Sequence, residues 1–105
     1  MIQEITIKNF LSFKDKVSFN FEATNDKFAE ESQVVTINKH TRLLRFAIIY
    51  GYNASGKSNL LSTFDFLNYF WSYKPTDLDS GTGVIPFMFD KASINEPSYF
   101  EIIFF

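Results

Sequence analysis

A chain of 105 residues has room for one small domain, and a formal net charge of −2 excludes the strongly basic surface of most nucleic-acid-binding proteins. We therefore do not expect this segment to bind nucleic acid directly. Cysteine is absent and histidine occurs once, which excludes disulfides, thiolate metal sites and histidine-cluster metal sites. No apolar run reaches the roughly 18 residues of a membrane span, and no signal peptide opens the chain, so we expect a cytoplasmic protein without membrane contact.

The first half of the chain carries the alternating pattern of antiparallel strands. Ile5 and Ile7 alternate with polar residues and predict a strand that ends near Asn9. A polar turn at residues 14–16 leads to a second alternating run at 17–22, which predicts a strand with one buried face. Residues 24–33 are polar and acidic and predict a loop, and residues 34–37 predict a short strand.

The second half is more apolar. The run F-A-I-I-Y at residues 46–50 predicts a strand buried on both faces, as in a parallel sheet. Apolar residues at helical spacing over 59–73 predict a helix that needs cover on more than one side. Phe87 and Phe89 suggest a short strand. Residues 99–105 predict a strand with an open apolar edge, so we expect the natural chain to continue, or a partner or a second copy to cover that edge.

The strongest motif lies between the predicted parallel strand and the helix. Residues 51–58 read G-Y-N-A-S-G-K-S and fit the phosphate-binding loop G-x-x-x-x-G-K-[ST]. Glycine at the fixed positions lets the backbone approach a phosphate, and the N–H groups of the loop and of the helix start suit an anion. The predicted phosphate contacts are Gly51, Asn53, Ala54, Ser55, Gly56, Lys57, Ser58 and Asn59.

Two side chains of the motif carry specific chemistry, because Lys57 supplies a point charge for the β- and γ-phosphates and Ser58 offers a hydroxyl to Mg²⁺. The segment F-M-F-D at residues 87–90 superficially resembles a Walker B strand. Pro86 before it and Lys91 after it favour instead a strand edge that ends in a turn aspartate. No catalytic residue is identifiable in the sequence.

Several stretches resemble a known family when they are taken together. Residues 5–14, ITIKNFLSFK, resemble the opening strand of ABC-type ATPases of the SMC/RecF class, and residues 49–61, IYGYNASGKSNLL, resemble their Walker A motif. Residues 86–90 and 97–104 are similar to the bacterial AAA-15/AAA-21 group. That group is related to the overcoming-lysogenisation-defect nucleases and to abortive-infection ATPases.

The resemblance implies an α/β fold, with residues 1–105 as a single partial domain: the N-terminal lobe of an ABC-like P-loop NTPase, in which an antiparallel β-subdomain flanks the P-loop strand and helix. It implies bound MgATP, with adenine or ribose contacts near Ser12, Phe13 and Lys14. It also implies partners, either the remaining ATPase lobe or a second ATPase head, in a homo-oligomer. The family's signature motif, Walker B carboxylates and switch histidine would lie beyond Phe105, so hydrolysis by this piece alone is not expected.

Two other function classes remain open. A small-molecule kinase with the same loop would use arginines in a lid, and no arginine follows Arg45. A GTPase is disfavoured because the Asn-Lys-x-Asp guanine motif does not occur. The non-enzymatic alternative is an interaction domain with a vestigial phosphate-binding loop. The cellular process suggested by the resemblance is phage defence or DNA maintenance.

Overall fold

The computed structural model describes residues 1–25, 30–51, 56–73 and 81–105. Within these ranges the chain forms five strands and three helices. They are, in chain order, β1 (Ile2–Lys8), β2 (Val17–Asn20), α1 (Glu30–Gln33), β3 (Val34–Thr36), β4 (Arg42–Leu44), α2 (Lys57–Ser72), α3 (Lys91–Ile94) and β5 (Tyr99–Phe104).

The main sheet is antiparallel and has the order β2-β1-β5. Ile5 lies opposite Phe19 of β2 and Ile102 of β5, so these three side chains share one face. The opposite face carries polar partners, among them Thr6 and Ser18, whose hydroxyl oxygens lie 2.7 Å apart. The alternating patterns in the first half of the chain therefore predicted β1 and β2 correctly, and the apolar run at the end of the sequence predicted β5.

Helix α2 packs on the apolar face of this sheet. Leu60 and Leu67 are buried together with Ile5, Ile7 and Phe10 in one core cluster. The spacing of the two leucines, seven residues, places them on one side of the helix. This packing confirms the predicted helix.

Aromatic rings extend the same core toward β5. The ring centroids of Phe10, Phe66 and Phe100 lie 5.1–5.3 Å from one another. Contacts of this kind add roughly 0.5–1.5 kcal/mol per pair beyond the burial of apolar area. The outer side of α2 is exposed, including Leu61 and Trp71, as expected for a helix that is apolar nearly all round.

A second, two-stranded antiparallel sheet is formed by β3 and β4. Leu43 of β4 is fully buried, and the Leu44 N–H donates to the carbonyl of Phe21, which ties this sheet to the chain after β2. The strand predicted at residues 34–37 is confirmed. The loop predicted over residues 24–33 is correct only in part, because its last four residues form α1.

The strand predicted at residues 46–50 does not form in the structure. Tyr50 is 89% exposed and Ile48 is 78% exposed, so the run is not buried on both faces. A strand requires a hydrogen-bonded neighbour, and no strand of the described ranges pairs with this segment. The run is apolar, but within the described residues no neighbouring strand lies beside it to form a parallel sheet.

The strand suggested at Phe87 and Phe89 is also wrong, because residues 81–88 adopt no regular structure. Asp90 is the N-cap of α3, and its side chain accepts a hydrogen bond from the Ala92 N–H at 3.1 Å. It also forms an ion pair with Lys14 at 3.0 Å. Asp90 therefore caps a short helix, and the strand edge that was predicted before it does not form.

The ion pair makes a testable contribution to the pH dependence of stability. The Lys14 side chain, followed by the Ala92 N–H, holds the pKa of Asp90 below its ordinary value of 3.8. A lowered folded-state pKa means that the stabilisation is present above that value and is lost as the pH falls through the folded-state pKa. We expect thermal melts to show a small extra loss of stability below about pH 4.

Asp90→Asn is the matched control, since asparagine caps a helix as well as aspartate does but carries no charge. The variant should melt with a weaker dependence on pH between 5 and 2 than the wild type. Equal dependence in the two proteins would show that the Lys14–Asp90 pair contributes nothing. The exposure of both groups keeps the expected difference small.

Candidate functional site

The phosphate-binding motif lies at the start of α2. The structure describes Gly51 and Gly56 together with Lys57, Ser58 and Asn59. The predicted contacts Asn53, Ala54 and Ser55 lie outside the described residues. The motif therefore enters the helix as the sequence predicted, although the described residues directly before it, 46–51, form no strand.

Gly56 turns the chain into the helix. Its backbone is left-handed, with φ 87° and ψ 5°, a conformation that glycine adopts without strain. Its carbonyl accepts the first helical hydrogen bond, from the Leu60 N–H at 3.0 Å. No described side chain caps this helix end, and its first turn holds no acidic residue. The N–H groups of the first turn therefore remain available to an anion.

The Lys57 side chain reaches back to the first glycine of the motif. Its Nζ donates to the carbonyl oxygen of Gly51 at 2.5 Å. A cavity of about 360 Å³ beside it is lined by Lys57, Ser58, Leu61, Ala47 and Ile49. This volume is at the lower end of ordinary ligand pockets.

Ser58 adds a hydroxyl group to the lining of this cavity. The residue is exposed, and its backbone carbonyl accepts a hydrogen bond from Ser62 Oγ at 3.0 Å. A free helix end, a lysine ammonium and an exposed hydroxyl are the donor set that a magnesium–nucleotide complex requires. The described residues therefore fit that ligand. No cluster of His, Asp or Glu within the described ranges could hold a metal ion by itself.

The turn between β1 and β2 lies against the loop. Ser12 Oγ is 3.0 Å, and the Phe13 ring 3.5 Å, from the position that a Cβ atom would occupy at Gly56. Phe13 lines a second cavity, of about 230 Å³, which also includes Gly56, Lys57 and Tyr50. The structure thus brings Ser12 and Phe13, which the resemblance associates with adenine or ribose, to the motif. Lys14 instead pairs with Asp90.

Two asparagines were not recognised in their structural roles. The phosphate contact of Asn59 stays a prediction, and the structure adds that its Nδ2 donates to Ser12 Oγ at 2.7 Å. Asn9 was predicted only as a strand end, yet it is 1% exposed and its side chain bonds to the chain at Phe87, Ser93 and Glu96. Both contacts join residues 47 or more positions apart, so no local pattern signals them.

Gly56→Ala is expected to lower the free energy of unfolding by about 1–2 kcal/mol through the left-handed backbone alone. Displacement of Ser12 Oγ from its 3.0 Å approach adds to this loss. Urea denaturation followed by circular dichroism measures the effect. Gly83→Ala is the matched control, because Gly83 also has positive φ (77°) but no atom within 4 Å of its Cβ position.

Gly81→Ala completes the series, since Gly81 has neither a positive φ nor a neighbour within 4 Å. We expect the largest loss at Gly56, a smaller loss at Gly83 and the smallest change at Gly81. If the variants at Gly56 and Gly83 lose equal stability, the close contact with Ser12 has no energetic weight.

Another cavity, of about 640 Å³, lies elsewhere, and none of the predicted site residues lines it. Its lining is mainly apolar and comes from the second half of α2 and from β5, with Phe66, Trp71 and Phe100 among its walls. Within the described residues, no helix is long and apolar enough to cross a membrane.

Comparison with known proteins adds one finding. Residues 46–105 match the protein-family model described as "AAA domain, putative AbiEii toxin, Type IV TA system". The matched segment is more than half of the chain and includes the whole phosphate-binding motif and α2. No curated protein and no solved structure matches the chain.

Proposed function

Because the chain belongs to this family of AAA domains, and thus to the P-loop nucleoside triphosphatases, we propose that it binds MgATP on the loop that enters α2. The observation that carries the proposal is the junction at Gly56. There a left-handed glycine leads into a helix whose first-turn N–H groups have no described side-chain cap. Lys57 follows that junction, and its ammonium group donates to the Gly51 carbonyl.

Each residue of the motif has a distinct role in this proposal. Backbone N–H groups of the loop and of the first helical turn hold the phosphate oxygens. Lys57 neutralises charge on the β- and γ-phosphates, and Ser58 offers its hydroxyl to Mg²⁺. Asn53, Ala54 and Ser55 contribute through the backbone. Bound Mg²⁺ supplies charge neutralisation between the phosphates, while the protein supplies position.

Hydrolysis needs a group that orients or activates the attacking water. Asp90 is engaged by Lys14 and by the N-terminus of α3, and Asp65 is exposed within α2. We therefore assign nucleotide binding to this segment and hydrolysis to an assembly with a second ATPase head or a further lobe. This is the ABC-like arrangement that the sequence resemblance implies, and a homo-oligomer satisfies it. A clean monomer at high concentration by light scattering would count against self-association.

The family description, a putative toxin of a type IV toxin–antitoxin system, favours a role in defence over DNA maintenance. ATP binding and that cellular role are separate claims, because a nucleotide site serves many effectors. The biochemical claim is therefore the one to test first.

Calorimetric titration of the folded, monodisperse protein with MgATP, MgGTP and magnesium-free ATP tests the proposal. We expect saturable binding of MgATP and weaker binding when Mg²⁺ is left out. Tight binding of MgGTP alone would reassign the substrate. Absence of heat with either nucleotide would favour the alternative, an interaction domain with a vestigial loop.

A further inference from the structure

A side-chain hydrogen bond links helix α2 to the turn that follows β1. Asn59 Nδ2 donates to Ser12 Oγ at 2.7 Å, and the same oxygen lies 3.0 Å from the position of a Cβ at Gly56. The Ser12 hydroxyl is thus beside the last glycine of the phosphate-binding motif. A Cβ atom at position 56 would contact this oxygen more tightly than most Cβ atoms contact their neighbours.

The direction of this hydrogen bond determines whether Ser12 Oγ can still donate a hydrogen bond. An asparagine Nδ2 is a donor only, so Ser12 Oγ is the acceptor, and a hydroxyl that accepts still has its own proton to donate. No described residue accepts that proton in the structure. Ser12 is exposed beside Gly56, so this proton is open to solvent or to an anionic oxygen bound at the motif, and a hydrogen bond to the charged group is the stronger of the two.

The turn that carries Ser12 is rigidly built. Phe10 and Phe13 exchange two backbone hydrogen bonds, at 3.0 and 2.9 Å, and the Leu11 N–H donates to the Ile85 carbonyl at 3.0 Å. Leu11 itself has φ 50°, a left-handed conformation that a leucine adopts only where its surroundings impose it. The position of Ser12 is therefore set before any ligand arrives.

We propose that Ser12 is a further phosphate-binding donor of the nucleotide site and that Asn59 is the positioning residue that turns the Ser12 proton toward the ligand. The inference rests on the proposed function, since it concerns the same bound phosphates. It adds a contact from outside the motif. It also reassigns the side chain of Asn59 from a phosphate contact to the support of one.

The test is a double-mutant cycle with two ligands, MgATP and magnesium tripolyphosphate, titrated calorimetrically into the full chain. Ser12→Ala should weaken both ligands about 10-fold, the loss of one hydrogen bond to a charged group. Asn59→Asp keeps a hydrogen bond but reverses it, because a carboxylate accepts the Ser12 proton. In the Ser12→Ala background, Asn59→Asp changes the affinity only through its added negative charge. Asn59→Asp should therefore weaken binding about 10-fold more in the wild type than in Ser12→Ala, and this difference measures the loss of the Ser12 donor.

Melting temperatures of the ligand-free variants distinguish a ligand-binding role of Ser12 from a purely structural one. A merely structural bond would lower the melting temperature of Ser12→Ala and leave both affinities unchanged, which would overturn the proposal. Weaker binding of MgATP with unchanged binding of tripolyphosphate would also overturn it, because Ser12 would then contact the nucleoside. If the wild type binds neither ligand, the proposed function itself fails, and that result is distinct from both.

Discussion

Replacement of Asn9 by alanine should lower the free energy of unfolding by about 3 kcal/mol or more, a large part of the stability of a small domain. Asn9 is 1% exposed, and its Nδ2 donates to the carbonyls of Ser93 and Glu96 at 2.8 and 2.9 Å. Its Oδ1 accepts from the Phe87 N–H at 3.0 Å. Alanine removes the partner of all three backbone groups, and each group that stays shielded from water, the buried Ser93 carbonyl above all, costs about 1–3 kcal/mol.

The backbone of Asn9 adds a second cost to the alanine variant. Its φ is 52°, a left-handed conformation that asparagine tolerates and alanine does not. Asn9→Gly removes the side chain without this strain, so the difference between the two variants isolates the backbone term. Asn9→Asp keeps the acceptor oxygen for the Phe87 N–H but replaces the Nδ2 donor with a carboxylate oxygen that faces the carbonyls of Ser93 and Glu96. Urea denaturation of all three variants measures the series, and a glycine variant as stable as the wild type would contradict the assignment.

The sequence predicted the elements whose signals are local. Alternation of apolar and polar residues located β1 and β2, and helical spacing located α2, because each pattern reports which face of an element is buried. The apolar run at residues 99–105 located β5. The motif at residues 51–58 located the start of that helix, since its glycine and lysine positions are set by phosphate chemistry. At residues 46–50 the apolar composition predicted a strand that does not form, because an apolar run does not reveal whether a neighbouring strand exists.

Contacts between distant residues escaped prediction for a different reason. The bond from Asn59 to Ser12 spans 47 positions, and the bond from Asn9 to Ser93 spans 84. Asparagine is common between a strand and a turn, so nothing in the sequence around Asn9 indicates that its side chain is buried and forms several hydrogen bonds. Its importance follows only from the fold, which brings the end of β1 against the segment before β5.

The described structure places the N-terminal turn against the last glycine of the phosphate-binding motif. The family match begins at residue 46, but Gly56 contacts Ser12 and Phe13, which lie outside the matched segment. Asn9 fastens the chain just before that turn to the segment around α3. Stability at Asn9 and affinity at the loop should therefore be coupled, so that variants of Asn9 weaken nucleotide binding as well as folding.

Lys57→Met should weaken MgATP binding by about 100-fold or more while it leaves the melting temperature of the free protein nearly unchanged. The ammonium group is the charged side chain of the described motif, and a unit charge 4 Å from a phosphate charge is worth about 4 kcal/mol near a protein surface. Methionine keeps an unbranched apolar stem of similar length. In the free protein the variant loses only the bond to the Gly51 carbonyl.

The control for this prediction is Lys91→Met, which removes an exposed lysine at the start of α3, outside both cavities that flank the motif. It should bind MgATP as the wild type does, because the net charge changes equally in the two variants and only the location differs. Lys57→Arg should bind weakly as well, since a planar guanidinium does not replace a compact ammonium in a tight loop. Equal affinity of Lys57→Met and Lys91→Met would mean that the phosphates are held by the backbone alone, or are not held at this loop.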